Sequence, residues 1–340
     1  MAVLLLLASA ASAQDDFPIK VYPCPRAATA PVLDGRLDDA VWQTAPVVSA
    51  FTMYGKETLA EVQTSFRVLW DDKYLYFGIT CDEPMMDKLT PVVFARDEHA
   101  VFGDEAIELF VDPDHTHDAY YQLAMNPGSS LYDGFREDTS WNSDTIVKAT
   151  LAKTSWSLEV AVPWGSLKAR PQAGKVVGFN VCRDRDLGEK EWTNWARTVT
   201  GFHDPIRFAH LVLSGAPDQI GKLSTELRKG DRAGPITIFS SEGFSQTTYA
   251  ELAGAAFADL RKLLADLEAE RAREKDTATA AELGLRLDGF RERVGEFRAR
   301  SQGPVDAASW VRLDVDIQKL IREMKRAVWE ARLSALLSGI

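Results

Sequence analysis

Across residues 60–213 the chain repeats short segments of alternating apolar and polar residues, separated by Gly, Pro, Asp and Asn. Alternation sends successive side chains to opposite faces of an extended strand, so each segment predicts a strand with one face on a core. Val62, Thr64, Phe66, Val68 and Trp70 share one such face. Asp71-Asp72-Lys73 turns the chain, and Leu75, Phe77, Ile79 and Cys81 return it, which predicts a hairpin. Further strands are predicted over residues 106–112, 120–126, 145–153, 157–162, 177–183 and 208–213. Many short strands divided by turn signals predict an all-β antiparallel sandwich of the immunoglobulin or jelly-roll kind over residues 18–214. No βαβ alternation and no phosphate-cradling glycine loop interrupts them.

Beyond Leu213 the period changes. Residues 217–234 are polar, and a linker is predicted over 215–245, in which Ile236-Thr237-Ile238-Phe239 marks one short strand. Apolar residues then recur every three or four positions, which predicts an α-helical bundle of about three helices over 246–340. The first starts near Thr248, where Glu251 completes a capping box, and buries Leu252, Phe257, Leu260, Leu264 and Leu267. The second is predicted from Thr279 with Glu282, and carries Leu283, Leu287, Phe290, Val294 and Phe297. Gly303-Pro304 precedes the third, whose longer stripe runs through Trp310, Leu313, Ile317, Leu320, Met324, Val328 and Ala331. That stripe is the expected surface for self-association. The Glu, Arg and Lys of the outward faces read as solvation.

Composition narrows the partners. The 340 residues carry a formal net charge of −11, which argues against a nucleic-acid backbone, since phosphate binding needs clustered Lys and Arg. Residues 2–11 are small and apolar, and Ala11-Ser12-Ala13 before Gln14 has the small-x-small form of a cleavage site. A signal peptide over residues 1–13, cut after Ala13, is therefore expected, with a secreted or periplasmic product; the run is too short to span a bilayer. Cys24, Cys81 and Cys182 form no C-x-x-C pair and read either as three buried thiols or as one disulfide with a free thiol.

Several segments together resemble carbohydrate-binding module family 9 of the DOMON-like superfamily. Residues 31–42, Pro-Val-Leu-Asp-Gly-Arg-Leu-Asp-Asp-Ala-Val-Trp, look like that family's opening loop, which places a Trp under a sheet. Residues 68–76, Val-Leu-Trp-Asp-Asp-Lys-Tyr-Leu-Tyr, are similar to its first hairpin, and residues 104–112, Asp-Glu-Ala-Ile-Glu-Leu-Phe-Val-Asp, to its central strand. Gly178-Phe179-Asn180-Val181 and residues 202–211, Phe-His-Asp-Pro-Ile-Arg-Phe-Ala-His-Leu, resemble later segments, in the family's order. The resemblance implies non-catalytic binding of a poly- or oligosaccharide, with a sugar held between two aromatic side chains. Where the family has Trp, this chain has Phe102 and Phe202; Glu108 matches its hydroxyl-binding Glu, and Gln122 stands where it uses an Arg. It also implies that acidic loops could hold structural calcium.

Alternation supports Glu108 independently, because Ile107, Leu109 and Val111 take the core face and leave Glu108 outward. Arg136, Trp141, Trp192 and Trp195 are secondary sugar-binding candidates, while Trp42, Trp70, Trp156 and Trp164 are assigned to the core. Asp104, Glu105 and Glu108 have the composition of a glycosidase site, but alternation puts Glu105 and Glu108 on opposite faces. His115-Thr116-His117 with Asp112 and Asp114 reads as a polar turn. Two alternatives stand beside glycan binding. One is a haem-binding electron-transfer domain with Met125 and His99 or His210 as axial ligands. The other is a structural envelope protein without ligand.

Overall fold

The computed structural model describes residues 17–214, 232–240 and 243–337. The expected signal peptide and residues 215–231 of the expected linker lie outside the described residues. Fourteen strands occur in chain order: β1 Ile19–Cys24, β2 Thr52–Met53, β3 Thr64–Trp70, β4 Tyr74–Asp82, β5 Ala106–Asp112, β6 Tyr121–Met125, β7 Leu131–Phe135, β8 Ile146–Leu151, β9 Ser155–Pro163, β10 Val176–Arg185, β11 Glu191–Asn194, β12 Ala209–Leu213, β13 Ile236–Ser240 and β14 Gly243–Thr247. They form two sheets. The smaller has the order β3-β4-β9-β8; the larger runs β14-β13-β1-β12-β10-β5-β6-β7, with β11 also on β10 and β2 on β11.

The predicted hairpin is present, with Trp70 opposite Leu75. Departing from an all-antiparallel sandwich, β1 runs parallel to both of its neighbours, β12 and β13. Parallel neighbours cannot be joined by tight hairpins, so β1 fits there only because strands distant in sequence close around it.

The facing sides of the sheets bury Phe66, Phe77, Leu109, Trp156, Phe179, Val181 and Trp195 in one core. Trp42, Trp70, Trp156 and Trp164 are all buried, as assigned from sequence. Trp42 covers the outer face of the small sheet beside Leu69 and Tyr76. Its indole donates to Glu159 at 2.8 Å, and the Asp34 and Gly35 amides donate to the other oxygen of that carboxylate at 2.8 Å each. Gly35 is needed there: its φ is +89°, and a Cβ would fall 2.6 Å from the Ala149 carbonyl carbon. The three cysteines are unpaired and buried, and burial pushes their thiols up.

Helices α1 Tyr249–Arg273, α2 Thr277–Arg300 and α3 Ala307–Leu337 follow. The capping box at Thr248 and Glu251 is formed. The second helix starts earlier than predicted: Asp276, not Thr279, is its cap, its carboxylate accepting from the Thr279 amide at 2.8 Å. The expected stripes pack together, with Leu264, Phe290 and Trp310 only partly covered. Tyr249, Leu252 and Val311 also pack on Ile19, Val21, Val212, Ile236 and Ile238, so the first turns of α1 and α3 sit against β1, β12 and β13. No helix among the described residues is long and apolar enough to cross a membrane.

Candidate ligand-binding site

The centre of the larger sheet is β10-β5-β6, and its inward faces are fixed by Val181, Leu109 and Leu123. Alternation then leaves Cys182 and Asp184 of β10, Glu108 of β5 and Gln122 of β6 on the outer face. Register brings them together. Glu108 lies opposite Cys182 on one side and Ala124 on the other, so Asp184 and Gln122 are its diagonal neighbours. Gln122 Nε2 donates to Glu108 Oε2 at 2.5 Å.

Glu108 and Asp184 line the same hollow from neighbouring strands, and each carboxyl perturbs the other. Glu108 is 5% exposed and Asp184 6%. Burial first, and then the charge of Glu108, push Asp184 up to about 9. Burial raises Glu108 as well, against the opposing hydrogen bond from Gln122. Burial and the mutual charge of the pair thus oppose full ionisation of both carboxyls.

Aromatic rings surround this floor. Phe102 stands on a 3₁₀ turn, His99–Gly103, and is held edge-on by Tyr132 at 4.8 Å between centroids. Phe202 is held edge-on by Tyr54 at 5.8 Å. Trp192 lies opposite Asp184 in the β10–β11 register, and at 53% exposure its indole is offered to solvent. Two adjoining hollows of about 430 Å³ each share Phe102 and Glu108. Tyr54, Asp184, Trp192, Gly201 and Phe202 complete the first; His99, Gln122, Tyr132, Glu137 and His203 complete the second. His203 takes part in a 2.8 Å hydrogen bond with the Tyr120 hydroxyl, and its burial lowers its proton affinity. Such a hollow suits a ring with apolar faces and hydrogen-bonding edges.

Phe102, Glu108, Gln122 and Phe202 thus meet at one place. The secondary candidates divide. Trp192 belongs to the site, but Trp195 is fully buried in the core against Phe66 at 5.0 Å and Phe179 at 5.5 Å, its indole donating to Ser49 O. It cannot touch a ligand. Trp141 packs on Tyr121 at 4.5 Å and lines neither hollow. Arg136 also lines neither; it is exposed and pairs with Asp118. Sequence reasoning missed Asp184, Tyr54 and Tyr132. For Asp184 a signal existed: Asn180, Cys182 and Asp184 alternate with apolar Phe179 and Val181 in a central strand.

Glu105 faces the interior, where it accepts from Arg183 at 3.0 Å and from the Asp186 and Leu187 amides at 2.8 Å each. It is therefore apart from Glu108, as alternation required. Glu108 instead shares its hollow with Asp184 of the neighbouring strand. The haem alternative fails on geometry: Met125 is buried in the inter-sheet core, whereas His99 lines the outer hollow. His210 is buried with its ring nitrogen 2.6 Å from His115, on the opposite face of the sheet from Met125. The 115–117 turn is organised by Asp112, which accepts from the His117 amide at 2.7 Å. No three His, Cys, Asp or Glu side chains converge as a metal-binding group among the described residues.

A family model described as "Carbohydrate family 9 binding domain-like" matches residues 33–216. An endo-1,4-beta-xylanase A from Thermoanaerobacterium saccharolyticum is 27% identical over 64% of the chain and 19% of its own length. The exoglucanase XynX of Acetivibrio thermocellus is 25% identical over 64% of the chain and 20% of its own length. The chain thus spans about one-fifth of the length of these curated relatives. Among solved structures, a family 9 carbohydrate binding module from Caldicellulosiruptor kristjanssonii in complex with cellotriose is similar at 18% identity, covering 60% of this chain and 96% of that one with a TM-score of 0.41.

Proposed function

Because the chain belongs to the carbohydrate family 9 binding domain-like family, we propose that the outer hollow binds a poly- or oligosaccharide without transforming it. One observation carries this reading. Glu108, Asp184 and Gln122, with Gln122 donating to Glu108, line adjoining hollows with Phe102, Phe202 and the exposed ring of Trp192. A pyranose presents apolar C–H faces and a rim of hydroxyls, and needs both kinds of wall.

Affinity electrophoresis against cellulose, xylan and pectin, followed by titration with oligomers, tests the proposal; the names of the relatives put 1,4-β-linked chains first. Retardation by at least one polymer is expected. Glu108→Ala and Phe202→Ala should abolish it while leaving the fold intact, the first by losing a hydrogen bond to a charged group, about 1.5–3 kcal/mol of binding, the second by losing an aromatic face, about 0.5–1.5 kcal/mol. A folded protein that no polymer retards would overturn the reading. The proposal includes export, with cleavage after Ala13, which N-terminal sequencing of protein recovered from the envelope or medium would check. The three helices act as a spacer or self-association module, and a strictly monomeric sedimentation profile would leave only the spacer.

A further inference from the structure

Every ionised or ionisable acid lining the two hollows is uncompensated. Glu108, Asp184 and Glu137 line them, together with the imidazoles of His99 and His203, and neither Lys nor Arg is among the described residues that do so. Gln122, a neutral amide, is the donor to Glu108. His203 is partly enclosed, and that burial favours its neutral form. Around the acids stand four aromatic rings, Tyr54, Phe102, Trp192 and Phe202, whose negative faces attract cations. A uronate would meet two buried acids with no cation to receive it. A neutral sugar would leave the pair's proton where it is. An ammonium group fits all of these features at once: it presents three donors, satisfies both carboxyls, and replaces their proton with a full positive charge.

Resting on the glycan-binding reading above, we propose that this site selects a sugar carrying a free amine, a hexosamine of the de-N-acetylated kind, over its neutral and N-acetylated counterparts. Its ammonium sits against Glu108 and Asp184 while the ring stacks between the aromatic side chains. Binding converts the singly protonated pair into two carboxylates. One proton therefore leaves to solvent for each ammonium bound, and charge balances: the pair gains one negative charge beside one positive charge.

Isothermal titration at pH 6, where an amine of the α-amino class is protonated, compares glucosamine oligomers, N-acetylglucosamine oligomers and cello-oligomers of equal length. The glucosamine oligomer should bind about tenfold more tightly than either of the others. Repeating the titration in buffers of different ionisation enthalpy should show release of close to one proton with the amine and none with the neutral chains. Asp184→Asn should abolish the proton release, since no acid proton remains for the ammonium to displace. Equal affinities in the unaltered protein, without proton release, overturn this inference and leave glycan binding standing. Failure of all three oligomers to bind a folded protein overturns both. Because proton release is read on the unaltered protein, a variant that does not fold leaves the decision intact.

Discussion

Replacing Asp184 by Asn should stabilise the protein, and increasingly so as pH rises. The physical cause is the buried acid pair. In the unfolded chain Asp184 ionises near its ordinary value of 3.8, whereas in the fold it is held up to about 9 by burial and by Glu108. Between about pH 5 and 9 the folded state thus binds one proton that the unfolded state has released. Stability must fall through that window as pH increases, by at most about 1.4 kcal/mol per unit. The substituted amide would offer Glu108 the donor that the protonated acid now provides, with nothing to titrate, so Glu108 would ionise between two amides. From pH 5 to pH 7 the limit is about 2.7 kcal/mol, and relaxation with water entry should reduce the measured gain to about 1–2 kcal/mol. Urea unfolding followed by fluorescence, run on both proteins at several pH values, measures the difference directly, since other titrations cancel. A difference that does not change with pH would refute the retained proton. A variant less stable at every pH would show that Asp184 makes a contact that an amide cannot replace.

Two further outcomes are expected. Trp192→Ala should weaken binding of the preferred glycan by about 0.5–1.5 kcal/mol in calorimetric titration, with an unchanged melting temperature because that indole is 53% exposed. Gly35→Ala should destabilise by about 1–3 kcal/mol in thermal melts, because it combines a φ of +89° with a Cβ only 2.6 Å from the Ala149 backbone, and it should loosen the loop that Glu159 and Trp42 hold.

Periodicity was legible in the chain alone. Alternation of Ile107, Leu109 and Val111 is enough to turn Glu108 outward, because any pleated strand with one buried face must do so. The helical stripes and the Thr248–Glu251 cap were equally local, since side chains three or four residues apart meet whatever else the chain does. What period cannot say is which face a short irregular strand turns to its neighbours. Trp192 and Trp195 are an odd number of residues apart, so a single extended segment could not offer both to one ligand. Only the register of β11 on β10 set Trp192 beside Asp184 and sent Trp195 into the core. The same holds for β7, whose Leu-Tyr-Asp-Gly-Phe sequence has no alternation to announce it and is ordered by β6. Asp184 depended on the assembled fold most of all. Its affinity for a proton is raised because neighbouring strands bury it beside Glu108, and desolvation is a property of that environment rather than of any residue within it.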